Sequence, residues 1–67
     1  MYITSNTTKE QLNSIKKDQL ISDSHCNGVV TNIHKTTCEN DIVDYEFRIE
    51  RMRLNGLLDV NYIYASR

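Results

Sequence analysis

The chain has 67 residues, 39% of them hydrophobic and 25% charged, with eight Lys and Arg against nine Asp and Glu for a net charge of −1. A typical domain runs to about 100–150 residues, so there is room for one domain, spanning 1–67, around one small core. The composition is that of a folded globular chain, and its near-neutral balance excludes the strong electrostatic pull of a basic nucleic-acid-binding domain.

Met1-Tyr2-Ile3-Thr4 is a candidate short edge strand. No charged segment with an apolar stretch behind it follows Met1, and no long apolar run occurs anywhere. Neither a signal peptide nor a membrane span is expected, and the chain reads as cytoplasmic.

Thr7-Thr8-Lys9-Glu10-Gln11 has the form of a capping box, in which a Thr side chain accepts from an early backbone N–H while Glu10 or Gln11 reaches back. Behind it Leu12 and Ile15 share one face, with Leu20 toward its edge, while Lys9, Asn13, Lys16, Lys17 and Asp18 point elsewhere. This pattern predicts an amphipathic helix over about 8–21. Its apolar stripe is thin, because Gln19 stands where a third core residue belongs, so the helix must dock to persist.

Ser22-Asp23-Ser24-His25-Cys26-Asn27-Gly28 is small and polar and reads as the exit from the helix, with a tight hairpin at Asn27-Gly28 as the competing reading. From Val29 onward apolar and β-branched residues recur with period two, which predicts strands at about 28–37, 42–54 and 57–65. Glu39-Asn40-Asp41 joins the first two. Asn55-Gly56 joins the last two and has the signature of a two-residue type I′ turn. Such a turn sets Ile49 opposite Tyr62 and Phe47 opposite Tyr64, which makes both tyrosines core residues. An odd loop at Glu39-Asn40-Asp41 adds Val29, Thr31 and Ile33 to the face shared by Val43, Tyr45, Phe47 and Ile49. The fold class expected is therefore α+β, one N-terminal helix packed on a three-stranded antiparallel meander.

Catalytic and metal readings find little footing. His25, Cys26, His34 and Cys38 are zinc-ligand types, but Cys26 and Cys38 bracket a strand and lie roughly 30–40 Å apart at strand rise, unlike the close pairs of structural zinc sites. In a chain without a leader they are expected to be free thiols. Neighbours His25 and Cys26 point to opposite faces, and His34 and Cys38 stand about 13 Å apart, so no Cys-His pair is set for nucleophilic catalysis. Two glycines, Gly28 and Gly56, make no phosphate cradle. The expectation is a non-enzyme with no cofactor and no metal.

Asp44, Glu46, Arg48 and Glu50 alternate with the apolar residues of the middle strand, so one sheet face is a charged stripe of mixed sign. Past Ile49 the pattern inverts. Arg51 and Arg53 fall on the apolar face, and Met52, Leu54 and Leu57 on the charged one, so the hairpin tip twists or projects. Arg and Met are enriched at protein interfaces, which makes Arg48, Arg51, Met52, Arg53, Leu54 and Leu57 the candidate partner-binding residues. The competing reading wraps the tip round the helix end with its arginines snorkelling. The strand through Tyr62-Ile63-Tyr64-Ala65 is a second candidate, as a sheet edge open to another chain.

The function expected on these grounds is binding and blocking of a larger protein or protein complex. Phage-encoded inhibitors of host or defence machinery, the anti-CRISPR class among them, are alike in size and make-up, an analogy of class that no motif carries. A small nucleic-acid-binding regulatory module, using Arg48, Arg51, Arg53, Lys16 and Lys17, is the alternative, weakened by the interleaved acids. Sequestration of a small ligand is another. Self-association as a homodimer would enlarge the undersized core.

Overall fold

Thr8 caps the one α-helix as its sequence requires. In the computed structural model, which describes residues 1–67, its hydroxyl accepts from the Gln11 N–H at 3.1 Å, and the Gln11 side chain accepts from the Thr8 N–H at 2.8 Å. The helix, α1, spans Lys9–Asn13, far short of the expected 8–21. Ser14 closes it, its N–H bonding to Glu10 and Gln11 carbonyls and its hydroxyl to the Gln11 carbonyl at 2.6 Å. Asp18 then takes the left-handed conformation at φ 72°. Ser, Ile and Asp are weak helix formers, and a side chain in that backbone region does not propagate a helix.

The segment expected to finish the helix instead starts the sheet. Leu20–Ser22 is strand β1, paired antiparallel with β2, Asn27–Thr37. Asp23 makes the turn between them, its carboxylate accepting from the N–H groups of His25 and Cys26 at 2.8 and 2.9 Å. A turn at Glu39–Asp41, with Asn40 and Asp41 both left-handed at φ 60°, leads to β3, Val43–Met52, and a hairpin to β4, Leu58–Ser66. The result is a curled four-stranded antiparallel sheet in the order β1-β2-β3-β4, 51% strand with one short helix. It replaces the expected helix on a three-stranded meander.

Met1–Ile3 lies along the outer side of β1. Tyr2 bridges Ser22 in parallel, the Ser22 N–H donates to the Met1 carbonyl, and the Ile3 N–H donates to the Ser22 carbonyl at 2.7 Å. The segment then crosses the concave face of the sheet. At its far side the Arg67 guanidinium donates to the carbonyls of Thr7 and Thr4 at 2.7 and 2.9 Å. The core gathers Leu12, Ile15, Ile21, Val30, Tyr45, Phe47, Ile49 and Ile63, with Ile3 from the strap. Leu12 and Ile15 thus cover the sheet as expected, one from the helix and one from the chain after it.

Two phase shifts decide which other residues join them. A bulge between Val30 and Asn32 turns Val30 inward and leaves Val29 outside, against the expectation for Val29 and Thr31. At the β3–β4 turn the Arg53 N–H donates to the Leu57 carbonyl at 2.8 Å, and only Gly56, at φ 84°, is left-handed. The loop is Leu54-Asn55-Gly56, three residues and not two. One added residue moves the register so that Phe47 faces Ile63, Ile49 faces Asn61 and Arg48 faces Tyr62. Every side chain of β4 therefore changes face, and Tyr62 and Tyr64 leave the core while Ile63 enters it.

Candidate functional site

The convex face of the sheet is built by the residues that alternate with the core. Its rows run straight across the strands. Leu20, Val29, Glu50 and Val60 form one, Met52 and Leu58 the next toward the tip, and in the other direction come Asn32–Arg48–Tyr62, His34–Glu46–Tyr64 and Thr36–Asp44–Ser66. Nothing packs on this face. Met52, Leu58, Tyr62 and Tyr64 are 65%, 49%, 47% and 67% exposed, and Leu20 62%. The two tyrosine rings stack with centroids 6.2 Å apart, so a flat apolar track runs along β4 from Leu58 to Tyr64.

Charge on the same face is largely self-compensated. Arg48 pairs with Glu50 and also donates to the Thr31 hydroxyl at 2.9 Å, so the bulge at Thr31 helps to hold the guanidinium in place. Asp44 accepts from the Ser66 hydroxyl and from the Cys38 thiol, which together hold its carboxyl below the ordinary value. The bond to Asp44 is also the main reason that the Cys38 thiol is pushed up. Local desolvation, with the Glu46 carboxylate across the ladder, raises the Tyr64 phenol.

The structure divides the six candidate residues. Arg48 and Met52 stand on the convex face. Arg51 and Arg53 are on the concave side beyond the core, where both flank Asp59 and Arg53 bonds it at 2.7 Å. Leu54 is fully exposed in the turn, and Leu57 is exposed beside it. The tip does not wrap the helix, which sits at the other end of the sheet, where Lys9 donates to the Asp41 carbonyl. The expected two-residue turn puts Leu58, Val60, Tyr62 and Tyr64 on the core face, and the observed register moves all four to the convex one. The signal against that turn was an apolar Ile63 between two tyrosines, each with a polar hydroxyl to satisfy.

Cys26 and Cys38 are free and lie at opposite ends of β2. Burial, then the neighbouring Asp23 carboxylate, raises the Cys26 thiol. No group of three or more His, Cys, Asp or Glu is placed to hold a metal ion. A hollow of about 390 Å³ lies at the His34–Glu46–Tyr64 end of the convex face. A second, of about 230 Å³, separates Ile3–Ser5 and the Asp23-Ser24 turn from Ile63–Ala65. No helix is long and apolar enough to cross a membrane. No protein family matches the chain, and neither a curated protein nor a solved structure is found to be similar to it.

Proposed function

We propose that this chain is a non-enzymatic binding protein that occupies a surface on a larger protein or protein complex, using the convex face of β3 and β4 and the hairpin tip. One observation carries the reading: twelve large hydrophobic side chains are exposed against nine in the core. Five of them, Met52, Leu58, Val60, Tyr62 and Tyr64, adjoin on this face. Soluble monomers rarely leave so continuous an apolar track uncovered, and Tyr, Met and Arg are the residues that interfaces favour. Arg48, held by Glu50 and Thr31, adds a preorganised polar contact beside the track. Small size supports action by occlusion, in the manner of phage-encoded inhibitors of host or defence machinery.

A nucleic-acid module would need its cations free and on one side. Arg48 and Arg53 are committed to Glu50 and Asp59, on opposite faces, which takes support from that alternative. The test is affinity capture from host lysate with the parent chain and with Met52→Glu/Leu58→Glu, both shown to be folded. One protein retained near stoichiometry by the parent and lost by the double variant is the expected result. Retention of nucleic acid alone, equal retention by both chains, or no retained protein overturns it.

A further inference from the structure

The two edges of the sheet are treated differently. Along β1 the Met1–Ile3 segment covers the edge with main-chain hydrogen bonds. Along β4 no main-chain bond does, and Ile3–Ser5 and the Asp23-Ser24 turn stand across a gap from Ile63–Ala65. Val43 and Arg67 exchange both main-chain bonds, and the Arg53 N–H donates to the Leu57 carbonyl. By antiparallel alternation the odd-numbered residues of β4 therefore bond to β3. The N–H and C=O groups of Leu58, Val60, Tyr62, Tyr64 and Ser66 point outward, and of these only the Ser66 carbonyl is engaged, by the Arg67 side chain.

This open edge is nine residues long, holds Val60, Tyr62, Ile63 and Tyr64, and carries no Pro, no Lys and no bulge, its one charge being Asp59, paired with Arg53. Those three are among the devices that keep a strand from pairing with another chain, and β4 lacks each of them. An edge of this kind takes a strand.

We infer that the occupant is a second copy of this chain, with β4 pairing antiparallel to β4 about a two-fold axis at Tyr62 to give one continuous eight-stranded sheet. Tyr62 is the midpoint of Leu58–Ser66, so this is the register that pairs the whole strand. It sets Tyr62 against Tyr62, Tyr64 against Val60, and Leu58 against Ser66 of the other copy. Aromatic and β-branched pairs of this sort are the favourable ones across strands. On the concave side Ile63 meets Asn61, and Asp59 of the second copy stands across from Ala65 and diagonal to Arg67. No like charges are opposed.

The bond count suits a specific dimer, since on the order of eight main-chain hydrogen bonds form, within the range of an ordinary interface. Pairing also merges the two apolar tracks. Both copies contribute Tyr62 and Tyr64 to one central cluster, so the docking face is only half built in a single chain.

The experiment is sedimentation of the parent chain together with Tyr62→Lys and Tyr62→Glu, alone and mixed. Tyr62 is half exposed in the free chain, so both variants are expected to keep the parent circular dichroism. The parent is expected at twice the 7.8 kDa of one chain, each variant alone at the single-chain mass, and the equimolar mixture back at the doubled mass. Only a residue that meets itself at the axis behaves this way. In a Cys26→Ser/Cys38→Ser background, Tyr62→Cys is expected to cross-link to itself on mild oxidation. Val60→Cys is expected to cross-link to Tyr64→Cys and not to itself. A single-chain mass for the parent, or a mixture that stays at single-chain mass, overturns the proposal. The inference stands apart from the docking reading: an intact dimer that captures no protein overturns that reading alone.

Discussion

The phenol of Tyr45 donates to the Asn13 side-chain oxygen at 2.8 Å, tying the largest fully buried side chain of the sheet to the last residue of the helix. Lys35 donates to the same oxygen at 3.3 Å and lies over the Tyr45 ring. Tyr45→Phe keeps the ring and its stacking on Phe47 while removing the tether. The expected cost is about 1 kcal/mol by urea unfolding. Tyr45→Ala also empties a core site and is expected to cost roughly 3–5 kcal/mol, enough to unfold much of so small a domain.

The two glycines separate backbone strain from steric clash. At Gly56 a Cβ meets nothing, but φ is 84°, so Gly56→Ala is expected to cost about 1–2 kcal/mol from conformation alone. Gly56→Asn is expected to cost less, since Asn tolerates that region. At Gly28 the backbone is ordinary, yet a Cβ would lie 2.7 Å from the Glu50 carbonyl oxygen of β3. Gly28→Ala must push β2 off β3, and thermal unfolding of the variants is expected to rank it as the more damaging.

The helix, the strand phases and the site differ in how far the residues disclosed them. The capping box, the alternation of β3 and the connection at Glu39–Asp41 follow from local chemistry and are found where that chemistry puts them. The length of the helix was hidden because Leu20 and Ile21 fit either a helical stripe or a strand, and the Asp23 turn that decides between them is a side-chain bond across three residues. Asn55-Gly56 lies in the turn that its residues predict. Its conformation was not legible, because a type I′ turn and a three-residue loop with one left-handed glycine share those two letters. That single residue decides whether Tyr62 and Tyr64 are core or surface, so most of the convex track was out of reach while Met52 was not.

Three carboxylates make the fold acid-sensitive. Burial opposes the charge on Asp23, but bonds from the His25 and Cys26 N–H groups and the Cys26 thiol outweigh it. Asp44 is lowered by Ser66 and Cys38, and Asp59 by Arg53. Each binds its proton less readily folded than unfolded, so its contribution is complete above the ordinary value of 3.8 and is lost as pH falls below it. The urea midpoint is expected to stay level from neutral pH to about 5 and then to decline. Asp23→Asn is expected to flatten that decline.

Cys38 is exposed, yet its thiol donates to Asp44 at 3.1 Å and is pushed up as a result. Less thiolate is present at neutral pH than on a free cysteine, so iodoacetamide is expected to modify Cys38 slowly. Asp44→Asn removes the charge and is expected to speed the reaction. Mass spectrometry of timed, quenched samples reads both rates.

The strap of Met1–Ile3 over β1 limits growth as well as closing the core. A sheet with two bare sides can add subunits without end and become a fibre, whereas one with a single bare side has nothing left to offer once that side is taken. Stripping the strap from β1, and not any change to β4, is therefore the alteration that would turn a finite particle into a polymerising one.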